Sequence, residues 1–275
     1  MSKILGRSTK LRLKHALREF AINKRQKFIA FVLVLSLVFF IAEYFAGRSG
    51  IIIIVALAVL TDIFLFISLR EDLKDNFSPQ VFILPFFYTL AVGLFYLLVP
   101  GRFLTRVAIS SLYALGLYSL YLSENIFTVS AIRTIQLLSG ARTVTITLTL
   151  LSYFFIADVI FSLHINVLLT LLLIFLFTLP TAIHTIWVYT LEKNPLSEIF
   201  WVLSLTVYLV EVSLLLWFWP SSPTLIALFL TGIFYIAVGV TQAWFEKRLF
   251  RSVILEYFWV AFVIFIVLVL FTSWK

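Results

Sequence analysis

The chain has 275 residues, of which 63% are hydrophobic and 12% charged. Soluble domains carry about 45–50% apolar and about 25% charged residues, so this chain needs lipid as its solvent. Cysteine is absent, which excludes disulfides, thiolate catalysis, iron–sulfur clusters and Cys-based zinc sites. The formal charge of +8 sits in one place: residues 1–27 hold nine Lys or Arg against a single Glu, and the rest of the chain holds twelve bases and twelve acids. The body therefore offers no basic surface for nucleic acid.

Residues 1–27 predict a basic amphipathic helix. Leu13, Ala16, Leu17, Phe20 and Ala21 recur at helical spacing, while Lys10, Lys14, Arg18, Lys24 and Arg25 take other faces. Such an arm lies on a membrane surface with anionic lipid headgroups as partners, each cation contributing about 1 kcal/mol. The plainer reading is a positive-inside topogenic signal. A cleaved signal peptide is not expected, because the charged region is long and no small-residue cleavage site follows the apolar run.

Nine apolar runs follow, each near the ~20 residues that a bilayer core requires. They fall at 28–45, 51–69, 81–99, 105–122, 143–163, 165–191, 198–219, 224–245 and 253–273. The breaks have turn chemistry: Gly47 to Gly50, the charged run Arg70–Gln80 with Pro79, Pro100-Gly101, and Pro220 to Pro223. The weakest break is Ser162 to Asn166. The expected fold is an all-α polytopic bundle forming a single transmembrane domain over 28–275. With nine spans and the N-terminus inside, seventeen Lys and Arg fall on the inner side and four on the outer. A tenth crossing through 123–142 would move Lys193, Lys247, Arg248 and Arg251 outside, so the charge bias favours N-in, C-out with a non-spanning middle segment. No internal repeat, linker or soluble domain stands out.

The middle segment Ser123–Arg142 holds most of the unassigned polarity. Wound as a helix at 100° per residue, it gathers Asn125, Thr128, Arg133, Gln136 and Ser139 in one arc, interrupted by Val129 and Ile132, opposite Ile126, Phe127, Ala131, Ile135, Leu137, Leu138 and Ala141. Glu124 and Arg142 then read as charges matched to the dipole at the two helix ends. Two placements fit: an interfacial helix with its polar arc in water, or a re-entrant helix whose Asn125, Arg133 and Gln136 face a cavity and bind a small-molecule substrate. The run from Tyr121 to Leu138 resembles a stretch in uncharacterised multi-span membrane proteins of candidate-phyla bacteria, the likeness covering about 113–158. That resemblance implies a bacterial cytoplasmic membrane and transfers no catalytic residue.

Acids inside spans cost about 2.5–3.5 kcal/mol each at a span centre and mark candidate sites. Asp62 and Glu211 fall nearest the middle of their spans, Glu43 and Asp158 in outer thirds, and His184 in the inner half of the sixth span, four residues after Pro180. No Lys or Arg lies deep in any span. These acids are then either neutral donors to neighbouring helices or parts of a proton or cation path. His164 and His184 are about 30 Å apart along a helix and cannot share a metal. No phosphate-binding Gly-rich loop, no His-Glu-x-x-His and no nucleophile elbow occurs. Asp72 and Asp75, with Glu71 alongside, read as a solvated loop. No cofactor or metal is implied.

Three functions compete. A transporter or permease for a small solute, proton or cation would place its site among the middle segment, Asp62, Asp158 and Glu211. An enzyme on a lipid-linked substrate would hold a headgroup phosphate with Arg133 and Arg142 and use Glu124 as base, but lacks a supporting motif. A scaffold or accessory subunit would have no ordered polar cavity. The residues lean to the first, and an enzyme is not indicated.

Overall fold

The computed structural model describes residues 24–42, 50–73, 77–100, 102–130, 137–192 and 197–272. The arm before Lys24, together with Glu43, Asp75, Arg133 and Gln136, lies outside them. All regular structure here is helical, and among the described residues nine helices are long and apolar enough to cross a membrane. They are α1 (Lys24–Ala42), α2 (Gly50–Leu69), α3 (Ile83–Leu98, entered through a 3-10 turn at Pro79–Phe82), α4 (Phe103–Ser130), α5 (Leu138–Ser162), α6 (Val167–Thr190), α7 (Ile199–Trp217), α8 (Pro223–Phe245) and α9 (Arg251–Phe271).

The helix ends follow local chemistry. The Asn166 side chain accepts the Leu169 N–H at the start of α6, and Ser222 accepts the Leu225 N–H at the start of α8, with Pro223 next in line where its missing N–H costs nothing. Leu191 takes a left-handed conformation (φ 50°) to end α6, and its N–H returns to Trp187 O.

Contacts between helix ends define two faces. On one, Lys24 pairs with Asp72, and Arg142 at the start of α5 reaches the ends of α6 and α8. On the other, the Trp219 indole N–H donates to Thr272 Oγ1 (2.7 Å) and that of Trp217 to Ile165 O (3.4 Å). We call these the Lys24 face and the Trp219 face.

Ser123–Arg142 is divided between two helices. Residues 123–130 complete α4, 138–142 open α5, and 131–136 lie outside the described residues. The cause is register: Tyr113, Leu117, Leu120, Tyr121, Glu124 and Phe127 are all buried at three- or four-residue spacing, so the polar stretch continues the inward stripe of the preceding span. At 28 residues α4 is about 42 Å long, more than the ~30 Å of hydrocarbon, so its end reaches the headgroup zone or the helix tilts.

α5 is the central helix, packed against α3, α4, α6 and α8. α9 is the peripheral one, resting chiefly on α8 and burying little more than Leu268. It comes close because α8 presents glycines there: a Cβ on Gly232 would lie 2.6 Å from Ile264 Cδ1, and one on Gly239 would overlap the Tyr257 hydroxyl.

Candidate functional site: a buried acid–imidazole pair and a charged cleft

The first polar site lies among α2, α4 and α6. Glu124 and His184 are completely buried, and Glu124 Oε1 is 2.9 Å from His184 Nε2. Each lies six residues before the end of its helix, about 9 Å in from the Lys24 face. Asp62, seven residues before the end of α2, lies next to Thr61, whose carbonyl accepts the Tyr121 hydroxyl. The pair is walled by aromatic rings: Trp187 lies 5.9 Å from the His184 ring and 6.1 Å edge-on to Phe127.

Hydroxyl groups continue this layer toward the centre of the bundle. Tyr113 Oη is 3.3 Å from both Thr61 Oγ1 and Thr89 Oγ1. Each threonine hydroxyl is also placed to donate to its own helix, to Leu57 O and Pro85 O respectively, which leaves the Tyr113 hydroxyl to donate to one of them. Tyr121 O–H donates to Thr61 O (2.7 Å). Around Pro180, whose ring removes a helix bond, Thr181 Oγ1 donates to Phe177 O and Tyr153 is bonded to Thr178 (2.9 Å).

These bonds account for the hydroxyls but not for the titratable groups. Glu124 Oε2, His184 Nδ1, Asp62 Oδ1 and Trp187 Nε1 have no hydrogen-bond partner among the described residues, and neither amide atom of Gln80, which is 1% exposed, has one. Buried polar groups are almost always bonded, and besides these the atoms unpartnered among the described residues include Ser36 Oγ, Thr145 Oγ1 and Asp158 Oδ1 elsewhere in the bundle. The Glu124–His184 bond has two forms that differ in the position of one proton: a carboxyl O–H donating to Nε2, or an Nε2–H donating to the carboxylate. Adding or removing a proton at either outer atom would change the charge of a completely buried group, which is costly unless its surroundings respond.

The second site opens at the Lys24 face between α5, α6, α8 and α9. It is a cleft of about 380 Å³ lined by Arg142, Tyr189, Tyr235, Gln242, Glu246, Arg248 and Tyr257, among others. Arg142 Nε–H donates to Val188 O (3.2 Å) and Nη2–H to Tyr189 O (3.1 Å), so the guanidinium caps the C-terminal end of α6 and stands 4.9 Å over the Tyr189 ring. Glu246 lies between two cations, 3.8 Å from Arg142 Nη1 and 3.6 Å from Arg248 Nη1.

The sequence candidates scatter over this frame. Asp62 and His184 belong to the buried layer. Asn125, next to Glu124, is half-buried with Oδ1 unpartnered among the described residues. Asp158 is buried near the Trp219 face, four residues before the end of α5, and is not part of that layer. Glu211 is exposed on the outer side of α7, apart from both sites. Arg133 and Gln136 lie outside the described residues. Two residues read as helix-end charges have other roles: Glu124 faces the interior of α4, and Arg142 caps α6 from the second turn of α5. Glu124 was recoverable, since it stands three residues after Tyr121 and four after Leu120 on the inward stripe. Gln80, in a loop by sequence, gave no signal. Among the described residues no three of His, Asp and Glu gather as a metal set.

Residues 32–271 match the family described as "Protein of unknown function (DUF5656)", and the chain belongs to it. This agrees with the resemblance to an uncharacterised multi-span family. No curated protein and no solved structure matches the chain.

Proposed function

We propose that the protein moves protons across the membrane, with Glu124 and His184 as its proton-exchanging groups and Asp62, beside the Tyr121–Thr61 bond, as a further acid of the same layer. The observation that carries this is the fully buried Glu124–His184 contact at 2.9 Å, placed about 9 Å inside the helix bundle next to its layer of buried hydroxyls. A structural polar contact serves a membrane bundle well enough with hydroxyls, as Tyr113, Thr61 and Thr89 do here. An acid and an imidazole add groups that can hand a proton to one another and onward. The excess of Lys and Arg on the Lys24 side supports an N-in, C-out orientation in the cytoplasmic membrane, which puts this proton site in the half of the bundle nearer the cytoplasm.

The test is proton flux into proteoliposomes loaded with a pH-sensitive dye, driven by an imposed pH gradient with the membrane potential clamped by potassium and valinomycin. Wild-type protein is expected to carry flux above that of empty liposomes, and Glu124→Gln to reduce it about tenfold while keeping the same elution profile. Equal flux in Glu124→Gln and wild type, or wild-type flux at the level of empty liposomes, would sink the reading.

A further inference from the structure

The charged cleft has a second compartment beneath it. An apolar groove of about 280 Å³ runs between α5, α8 and α9, lined by Leu150, Phe229, Gly232, Val263, Ile264 and their neighbours, and Tyr235 lines both spaces. Arg142, Gln242 and Arg248 are at the Lys24 face. Tyr235 lies seven residues before Gln242 on α8 and Gly232 ten, so the groove begins about 10 Å deeper than Gln242. It runs on past the middle of the ~30 Å core to Leu225 and Leu268 near the Trp219 face, and its near half is within reach of an acyl chain whose headgroup sits at the Lys24 face.

We propose that this cleft is a binding site for an anionic phospholipid, with the phosphate on the N–H groups of Arg142 and Arg248 that Glu246 leaves free and one acyl chain entering the groove toward Gly232 and Val263. The charge fits. Two guanidiniums face one carboxylate, giving a net positive lining, and Glu246 stands at 3.8 and 3.6 Å from them, too far for hydrogen bonds that would use up their donors. Arg142 gives two of its five N–H groups to the end of α6, and those bonds fix the direction of the others, the arrangement that suits a phosphate oxygen pair. Tyr189 at the end of α6 supplies a ring with a wet end and a dry end at the headgroup level, and Tyr235 and Tyr257 line the passage from there to the groove. Gly232 and Gly239 set the shape: they draw α9 onto α8 at two points one heptad apart, and the groove is the space left between α9 and α5.

The site is separate from the buried acid–imidazole pair and stands or falls without it. The experiment is native mass spectrometry of the full chain in detergent, titrated with phosphatidylglycerol, phosphatidylcholine or inorganic phosphate. Two variants separate the compartments: Arg248→Gln, whose side chain is 73% exposed and so removable without disturbing the fold, and Val263→Trp, which fills the groove and leaves every charge in place. Because the basic N-terminal arm also attracts anionic lipid, the readout is the tightest-bound single lipid. Wild-type protein is expected to retain one phosphatidylglycerol about tenfold more tightly than phosphatidylcholine, and each variant to lose that preference. Retention of the preference in either variant overturns the proposal, as does inorganic phosphate displacing the lipid at equal concentration. Equal retention of both lipids by wild-type protein overturns it too.

Discussion

Two acid–base contacts in this molecule use similar chemistry and behave as opposites. Glu124 and His184 meet at 2.9 Å with no exposure, inside three helices. Arg142 and Glu246 meet at 3.8 Å in an open cleft, each side chain about a quarter exposed. The first contact is short because nothing else is there to bond with, and the low dielectric makes a missing partner expensive. The second is long because water and helix-end carbonyls compete for the same guanidinium, and screening leaves such a pair worth about 0–1 kcal/mol. In a membrane bundle, then, the position of a contact along the helix decides what it can do. Deep contacts are closed to solvent, and contacts at the face stay open to it.

The comparison breaks if removing either acid has the same effect. Glu124→Ala is expected to lower stability by about 3 kcal/mol, from an orphaned ring nitrogen and unfilled volume, as read from thermal unfolding in one detergent. Next in size, Gly116→Ala drives a Cβ into the Tyr88 hydroxyl, which donates to Leu112 O across the α3–α4 contact. A loss of about 1–3 kcal/mol follows from overpacking, and a neutral outcome would mean that the two helices are less tightly apposed than described. A double-mutant cycle on Glu124→Gln and His184→Gln sharpens the contrast: its coupling energy is expected between about 0.5 and 3 kcal/mol and to be insensitive to salt. The smallest effect is that of Glu246→Ala, expected within about 1 kcal/mol of wild type and to shrink further as salt rises to about 1 M.

Much of the fold was legible because a bilayer leaves few options. Nine stretches of about 20 apolar residues, punctuated by Pro, Gly and charge, translate into helices with little ambiguity. The sites were harder to read for a definite reason. Treating Ser123–Arg142 as a helix of its own reset the angular phase at Ser123, and that put Glu124 at a helix end. Counting onward from Tyr113 and Tyr121 instead places it on the buried stripe. Its pairing with His184, 60 residues later, is a tertiary fact that no spacing within one helix reveals. Glu211 shows the converse. Its depth along α7 was readable, but which side of α7 faces the bundle depends on neighbours, and there the acid points away from it.

The Tyr88 hydroxyl bond has a mechanical consequence. Its ring passes over Gly116, where any larger residue would obstruct it, to reach a backbone carbonyl of α4 (2.7 Å), and the Tyr88 and Tyr113 rings lie nearly parallel, 6.1 Å apart. A side chain crossing a neighbouring helix at a glycine notch acts as a bolt. α3 can tilt together with α4, but it cannot slide along it without breaking that bond and forcing the ring past side chains above and below the notch. The bond therefore favours α3 and α4 moving together in any displacement within the bundle.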